Sequence, residues 1–294
     1  MSTATNTLAR PRPKPRQVRL SRRIASVAGW TFTGACLVVL SALMVWILLV
    51  VFMRGIGALK LSTFTTITQG TGGGLLNAIE GTLVLSAGAL LLSVPFGVAS
   101  GIYTSEYPNS PWAATIRFLA DVLVGVPSIV VGYFGYVGMV EWLGWSFSVA
   151  AGSISLAIIC LPYICRTTEL ALRQVSNDLR DAAYSLGANE RRVILGVCLP
   201  AAMPAILTGI LLALAVAVGE TAPVLYTAGW SSFMWDGHLT RSPIGYLTYV
   251  IWTFINEPFA SANALAYAAA FLVTGFVLII NVFARFVLER RASR

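Results

Sequence analysis

Long stretches without charged residues alternate with short charged segments along this chain. Six such stretches contain between 19 and 30 consecutive residues without Asp, Glu, Lys or Arg. A bilayer core of about 30 Å is crossed by about 20 apolar residues of helix, so each stretch can hold one span. They lie between Arg23 and Arg54, Glu80 and Glu106, Asp121 and Glu141, Glu141 and Arg166, Arg192 and Glu220, and Glu257 and Arg285. The pattern predicts an all-α integral membrane protein with six transmembrane helices.

A seventh uncharged stretch, residues 61–79, is rejected as a span. It is rich in Thr and Gly, and four glycines between positions 70 and 74 would weaken a helix there. We therefore expect an external linker at 54–75 and a second external segment at 229–262. The aromatic residues of the second segment are typical of a membrane interface; they are Tyr246, Tyr249, Trp252 and Phe254. Five spans are predicted at 24–54, 77–103, 148–165, 199–219 and 263–286. The remaining span, the third in chain order, is a helix that begins near Pro111.

The third predicted helix contains a break. Ser110 is suited to capping a helix whose first residue is Pro111. Further on, Gly125 and Pro127 interrupt the helix, because proline removes a backbone donor and glycine loosens the turn. Two interpretations remain open. The break is either an ordinary proline kink or part of a pathway wall, to which Ser128 would supply a hydroxyl.

Two pairs of residues spaced four apart predict helix contacts. Gly97 and Gly101 form a small-xxx-small pattern that permits close helix packing. Arg117 and Asp121 have the spacing at which opposite charges meet on one helix face.

The segment 166–192 is the longest charged region in the middle of the chain, with five basic and four acidic residues. Apolar positions recur at helical spacing from Leu179 to Val193, and Asn177 or Asp178 can cap the start. Gly187 interrupts the pattern, which predicts two short helices that meet at an angle. Such an amphipathic segment can lie on the membrane or dock into a partner protein, and periodicity favours neither.

Composition narrows the class of protein further. Of the 294 residues, 57% are hydrophobic and 11% are charged, and the mean hydropathy is +0.78. Soluble domains are typically about 25% charged, so a soluble enzyme is excluded, as is a disordered chain.

The distribution of Lys and Arg predicts the orientation in the membrane. Residues 1–23 hold seven basic residues and no acidic residue, which indicates a basic cytoplasmic arm. If six spans follow, both termini are cytoplasmic, and 17 basic residues lie inside against three outside: Arg54, Lys60 and Arg241. The positive-inside rule expects this bias. The net charge of +8 then reflects topology and contact with anionic membrane lipid, and nucleic acid is not an expected partner.

The sequence contains no recognisable catalytic or metal-binding motif. There is no phosphate-binding loop of the G-x-x-x-x-G-K-[ST] type, and the single histidine, His238, lies in an external segment. The four cysteines lie in or beside apolar stretches without C-x-x-C spacing, which indicates buried small side chains rather than a metal site. A membrane protein of this kind is typically a channel, a carrier or a subunit of a larger transporter.

Glu220 is the acidic residue that most needs an explanation. It follows the fifth uncharged stretch, where a charge costs about 2.5–3.5 kcal/mol if it is fully inserted in the bilayer. Glu220 either ends the helix at the lipid headgroups or lines a pathway or gate, and both interpretations remain open.

Residues 181–200, DAAYSLGANERRVILGVCLP, resemble the EAA loop of ATP-binding-cassette importer permeases. The family pattern is Glu-Ala-Ala, three residues, Gly, nine residues, then Ile-x-Leu-Pro. Asp181 replaces the glutamate and Val197 replaces the isoleucine. The other positions are in register; they are Ala182, Ala183, Gly187, Leu199 and Pro200. The resemblance implies the type I importer permease architecture over residues 75–290, with a coupling segment, 177–194, that inserts into a groove on a cytoplasmic ATPase.

Further stretches are similar to the A-type permeases of phosphate-specific importers, the PstA family. The matching text lies at 101–103, 106–107, 116–121, 127–132, 166–169 and 219–223. The last of these, Gly-Glu-Thr-Ala-Pro, favours the A-type over the C-type partner permease. One position departs from the family. Val216 stands where relatives commonly have an arginine, one helical turn before Glu220, so a pair that would neutralise this carboxylate is absent.

The resemblance implies a non-catalytic permease subunit of an ATP-driven phosphate importer in the bacterial plasma (inner) membrane. Its implied partners are a second, C-type permease, an ATPase dimer that binds ATP and Mg, and an extracytoplasmic phosphate-binding protein. No cofactor and no metal is expected on this chain. Ser128, Glu220 and Thr221 are the predicted pathway residues. Two alternatives are a permease for another oxyanion, such as sulfate or molybdate, and a membrane scaffold that reports the transport state to a signalling protein.

Overall fold

The computed structural model describes the backbone of residues 20–292 and the side chains of residue 22 and residues 24–285. The predicted basic arm, residues 1–23, lies almost entirely outside the described part. The chain divides into two compact units, Met1–Val50 and Val51–Arg294, and each is described by itself.

Helices form nearly all of the regular structure. One antiparallel hairpin pairs β1 (Thr68–Gln69) with β2 (Gly72–Gly73). π-Helical turns continue α5 (Tyr136–Trp142) and join α8 to α9 (Ile194–Cys198). The α-helices are α1 (Leu20–Ala58), α2 (Leu61–Thr65), α3 (Leu76–Glu106), α4 (Pro111–Gly125), α5 (Ser128–Gly135), α6 (Val149–Arg173), α7 (Asn177–Ser185), α8 (Glu190–Val193), α9 (Leu199–Gly219), α10 (Ala222–Thr227), α11 (Leu247–Phe254) and α12 (Ala260–Ala292).

α1 begins in the first unit and continues past Val50 into the second, and none of its described first-unit side chains, residue 22 and residues 24–50, is buried. Its apolar window, Ile24–Ala58, ends four residues beyond the predicted first span. A helix that is apolar on every side needs lipid or another protein around it.

Five helices of the described residues are long and apolar enough to cross a membrane, and a bent pair makes a sixth if it is counted as one span. Each of the five is longer than the span predicted for it. Four of them continue into the charged residues that end an uncharged stretch, whereas the last begins three residues before its predicted start. The five are Ile24–Ala58, Leu76–Glu106, Val149–Arg173, Glu190–Gly219 and Ala260–Arg285.

The third predicted span is the bent pair. α4 ends at Gly125, Val126 is extended, and α5 begins at Ser128. The axes of the two helices differ by 100°. A bend of this size exceeds an ordinary proline kink, so the sequence break separates two helices.

The contact between α3 and α6 is the most extensive helix pairing in the second unit. A Cβ atom on Gly101 would lie 2.5 Å from Cβ of Thr168, and one on Gly97 would lie 2.8 Å from Cβ of Ile164. Both distances are far below van der Waals contact, so this approach requires residues without a side chain. The close packing predicted at Gly97 and Gly101 is confirmed. α9 packs against α6, and α12 packs against α9.

The linker after α1 folds against the start of α3. It contains α2 and the hairpin, which confirms that its glycine-rich stretch forms no span. The side-chain oxygen of buried Asn77 accepts the backbone N–H of Thr68 at 3.0 Å, and its amide nitrogen donates to the carbonyl of Ser231 at 2.9 Å. The linker and the segment around Ser231 therefore lie at the same end of α3.

Residues 246–254, the aromatic segment, contain α11, which is only eight residues long. It is too short to cross a bilayer, as predicted. Tyr246, Val250 and Phe254 are buried, whereas Trp252 is 61% exposed. Most of this segment therefore packs into the protein rather than lying at a surface.

Candidate functional site

The coupling segment has the two-helix geometry that its sequence predicts. α7 ends at Ser185, Gly187 has a left-handed φ of +79°, and α8 begins at Glu190. Glycine adopts this φ without a steric penalty, so the turn explains why Gly187 interrupts the pattern. The expected cap at Asn177 or Asp178 is wrong, because Ser176 occupies the N-cap position and makes no side-chain capping hydrogen bond.

The apolar side chains of α7 face outward. No residue of this helix is buried, and Leu186, which follows it, is 89% exposed, while Leu179 is 42% exposed. Arg180 and Ala183 are the half-buried residues of α7. Exposed apolar side chains on an amphipathic helix are typical of a surface that contacts a partner or a membrane.

The residues that match the EAA pattern divide between the surface and the core. Asp181 and Ala182 are exposed on α7, whereas Ala183 and Leu199 pack against the same apolar cluster. Pro200 lies in the first turn of α9, directly after the π-helical turn. Proline has no N–H to donate to the preceding turn, which accounts for the altered hydrogen bonding before it.

An ion pair attaches α7 to the end of α3. Nη1 of Arg180 lies 2.7 Å from Oε2 of Glu106, and Nη2 lies 3.0 Å from Oε1. Arg180 also donates to the carbonyl of Leu172 at 3.1 Å. The hydrogen bonds to Glu106 raise the pKa of Arg180. Sequence patterns could not predict this pair, because its members are 74 residues apart.

A second ionic cluster joins α4 to α6. The Glu169 side chain is 3% exposed and lies 2.6 Å from Nε of Arg117, 3.2 Å from Nη1 of Arg166 and 2.7 Å from Nη2 of Arg173. Arg166 also pairs with Asp121. The expected contact between Arg117 and Asp121 is wrong, because each pairs with α6 instead. A buried carboxylate needs several donors, and this need outweighs a weak exposed pair on one helix face.

Ser128 and Glu220, two of the predicted pathway residues, are neighbours. The Ser128 hydroxyl interacts with the Glu220 carboxylate. Ser128 opens α5 immediately after the break at Gly125 and Pro127, while Glu220 follows the last residue of α9. The bend between α4 and α5, together with the packing of α5 on α10, brings these distant parts of the chain together.

Several polar groups surround Glu220. Oγ1 of Thr248 donates to its backbone carbonyl at 3.0 Å, and a small cavity beside it is lined by Ser86 and Tyr246. The Tyr246 hydroxyl is buried and has no hydrogen-bond partner among the described residues. Thr221, the third predicted pathway residue, is half-buried at the N-cap of α10. Sequence reasoning missed Tyr246 and Thr248, because the aromatic segment suggested a membrane interface.

Val216, one helical turn before Glu220, supplies no cation. The carbonyl of Val216 accepts the backbone N–H of Glu220 at 3.0 Å, as expected one helical turn apart. None of the ion pairs between described side chains includes Glu220.

The coupling segment and the predicted pathway residue Glu220 lie at opposite ends of α9. This helix has 21 residues, which corresponds to about 30 Å. The coupling segment and the region around Glu220 are therefore two separate candidate sites, about one membrane thickness apart.

Cysteine and acidic residues form no metal-binding group among residues 20–292. All four cysteines are free. Cys160, Cys165 and Cys198 are buried as expected, but the expectation is wrong for Cys36, which is exposed on α1.

The family model of binding-protein-dependent transport system inner membrane components matches residues 93–293. This range contains the helix break, the coupling segment and Glu220. The chain belongs to this family. It is thus a multi-pass membrane protein and a non-catalytic permease subunit of an ATP-binding-cassette transporter. Family membership also implies partnership with another permease, ATPases and a binding protein.

Curated relatives cover almost the whole chain. Phosphate transport system permease protein PstA 2 of Mycobacterium bovis is 43% identical over 281 residues, which is 95% of this chain and 93% of the relative. Phosphate transport system permease protein PstA of Yersinia pestis is 42% identical over 252 residues, which is 84% of each chain.

Solved structures of importers have a similar fold. The MetNI methionine ABC transporter in an inward-facing conformation matches with a TM-score of 0.57 and 19% identity, over 74% of this chain and 94% of that chain. A bacterial ABC transporter involved in the import of alginate matches with a TM-score of 0.55 and 15% identity, over 94% of this chain and all of that chain. These similarities confirm the predicted all-α, type I importer permease architecture.

Proposed function

We propose that this chain is the permease subunit of an ATP-driven phosphate importer. The observation that carries the proposal is the 43% identity to a phosphate transport system permease, PstA 2, across 95% of this chain. The chain itself performs no covalent chemistry. With a second, C-type permease it encloses a pathway that opens to one side of the membrane at a time.

The proposed location is the bacterial inner membrane, with both termini in the cytoplasm. The excess of basic residues on the predicted inner side supports this orientation. The end of α3 that contacts α7 then faces the cytoplasm. The other end, with residues 54–75 and 229–262, faces outward and receives an extracytoplasmic phosphate-binding protein.

The coupling segment is proposed to dock on a cytoplasmic ATPase that binds ATP and Mg. The exposed apolar residues Leu179 and Leu186 support a docking role, because they have no partner side chain to cover them within the described helix. The six EAA positions contribute in different ways: Asp181 and Ala182 are exposed on α7, and Ala183 and Leu199 pack against an apolar cluster of the protein. Gly187 forms the turn between the helices, and Pro200 is exposed in the first turn of α9.

Ser128, Glu220 and Thr221 are proposed to line the pathway. The break at Gly125 and Pro127 supports this assignment, since a broken helix in a bilayer needs protein or a water-filled cavity around its free backbone groups. With valine one turn before Glu220, an anion site here requires a cation from the second permease. This subunit then contributes polar groups rather than the positive charge.

Reconstitution tests the proposal. The chain is purified with its second permease, ATPase and binding protein, placed in liposomes, and supplied with ATP and radiolabelled phosphate. We expect uptake that requires both ATP and the binding protein, and that excess unlabelled phosphate suppresses. A complex with an ATPase unable to hydrolyse ATP is the control and should import nothing.

Two outcomes would contradict the proposal. Suppression of uptake by sulfate or molybdate rather than phosphate would make the chain a permease for another oxyanion. ATP hydrolysis without uptake of any of these oxyanions, together with binding of a signalling protein, would make it a scaffold that reports transport state.

A further inference from the structure

Residues 104–108 at the end of α3, here named the junction segment, contact three other helices. Glu106 pairs with Arg180 on α7, and the hydroxyl of Tyr107 donates to Oε1 of Glu190 on α8 at 2.8 Å. Arg117 on α4 donates to the carbonyls of Thr104 and Pro108. Five consecutive residues thus connect both helices of the coupling segment to α4.

The ion pair between Glu106 and Arg180 fixes the orientation of α7 relative to α3. The guanidinium of Arg180 and the carboxylate of Glu106 form two parallel hydrogen bonds, and the two side chains are 19% and 10% exposed. A bidentate pair fixes orientation as well as distance. Since α7 has no buried residue and only Arg180 and Ala183 are half-buried, this pair is a principal attachment of α7 to the rest of the protein.

The contacts continue from the junction segment to α6. The guanidinium of Arg117 that binds the Thr104 and Pro108 carbonyls also binds buried Glu169 at 2.6 Å. Glu169 in turn binds Arg166 and Arg173 on its own helix. A displacement of α7 therefore has a continuous path to α6. It runs through the Glu106–Arg180 pair, the backbone of the junction segment, Arg117 on α4 and Glu169 on α6.

We propose that Glu106 and Arg180 are positioning residues for energy coupling, which transmit movement of α7 to the membrane helices through the junction segment. This inference rests on the proposed function, because it assumes that α7 moves when the ATPase does. The pair has no contact with substrate. It acts through α3, and its loss leaves α7 able to bind the ATPase but unable to pull the end of α3 with it.

The test uses the reconstituted complex and measures ATP hydrolysis and phosphate uptake on the same liposomes. Glu106→Gln and Arg180→Gln should each lower the phosphate imported per ATP by about tenfold, within the range of coupling between contacting residues. The ATPase should remain bound to the permease in both variants. The double variant should be no worse than the more affected single variant. The exchange Glu106→Arg with Arg180→Glu should restore part of the ratio, which a loss of packing alone would not do.

Arg22→Gln is the matched control, since it removes one exposed positive charge outside the junction segment. Its ratio of phosphate to ATP should equal that of the wild type. Two results would overturn the proposal. One is an unchanged ratio of phosphate to ATP in the single variants, and the other is a loss in the double variant equal to the product of the two single losses.

A further double variant tests the proposal even if the single variants fail to assemble into a complex. A buried ion pair can often be replaced by apolar residues without loss of stability, so Glu106→Met with Arg180→Met should assemble and hydrolyse ATP with little uptake. A wild-type ratio in this variant, or its failure to assemble, would assign the pair a structural role only. A wild-type complex that imports no phosphate contradicts the proposed function instead. The junction is then tested by whether the variants abolish the stimulation of ATP hydrolysis by the binding protein.

Discussion

Glu169 and Glu220 are carboxylates with contrasting surroundings. Three arginine side chains hold Glu169, whose side chain is 3% exposed. Removing one partner of such a buried group costs about 3–5 kcal/mol, so Glu169 is a fixed structural charge. Glu220 is half-buried and interacts with one hydroxyl, that of Ser128. Its oxygens therefore remain available to a ligand or to a residue of a partner subunit.

The first prediction concerns this available carboxylate. Glu220→Gln keeps the shape of the side chain and removes its charge, so we expect phosphate uptake to fall by about tenfold or more, since hydrogen bonds to charged groups contribute about 1.5–3 kcal/mol. The ATPase should still copurify with the permease. Uptake by reconstituted complex is the measurement. Glu141→Gln removes an exposed carboxylate and should leave uptake unchanged; equal uptake by both variants would mean that Glu220 only ends a helix.

Gly187 determines the angle between the two helices of the coupling segment. Apart from the adjacent residues, no atom of the described part of the chain lies within 4 Å of the place where its Cβ would be, so a Cβ atom would meet no clash. The cost of a substitution lies in the backbone, because a left-handed conformation costs a residue with a Cβ about 1–2 kcal/mol. Asparagine tolerates this conformation better than a β-branched residue does.

The second prediction separates backbone conformation from side-chain size. Gly187→Val should uncouple ATP hydrolysis from uptake in an assembled complex, because valine at a φ of +79° forces α7 and α8 to a new angle. Gly187→Asn, the control, adds a side chain of similar size and should keep most of the uptake. Transport by the valine variant at the wild-type level would remove the coupling role. An equal loss in both variants would mean that position 187 tolerates no side chain, and that the backbone φ is not the cause.

The local sequence predicts the position of some structural elements but not the geometry of others. The spans follow from uncharged stretches, and the Gly187 turn follows from one residue. The 100° bend between α4 and α5 exceeds what a Gly-x-Pro sequence specifies, because the angle depends on the packing of α5 against α10. Arg117 and Asp121 show the same limit: their spacing permits a pair, but α6 offers each a partner that the helix itself lacks.

At the scale of the whole second unit, α3 connects two chemically different ends. Its first residues bind the segments predicted to be external through Asn77 and through Glu80, whose carboxylate accepts the backbone N–H of Trp235 at 3.0 Å. The backbone N–H of His238 and the Ser242 hydroxyl lower the pKa of Asp236 in the same loop. The last residues of α3 bind the coupling segment. The two ends are separated by a helix of 31 residues, about 45 Å long.

The third prediction is that these ends face opposite sides of the membrane. Cys36, the one exposed cysteine, is exchanged for Ser, and a single cysteine is introduced at Leu239 or at Asn109, both of which are exposed. A membrane-impermeant maleimide should label Leu239→Cys in intact spheroplasts and Asn109→Cys only after permeabilisation. The parent with buried cysteines alone is the control and should remain unlabelled. Labelling of Asn109→Cys in intact spheroplasts would invert the proposed orientation.

Local chemistry along the chain was enough to predict the membrane class, the approximate limits of five membrane spans, the turn at Gly187 and the EAA resemblance. These features depend on neighbouring residues, whose spacing is visible in the sequence. The pairs Glu106–Arg180, Arg117–Glu169 and Ser128–Glu220 depend on helix packing and join residues far apart in the chain. Only the tertiary structure could select these partners, because a buried charge binds whichever donors the packed helices bring to it.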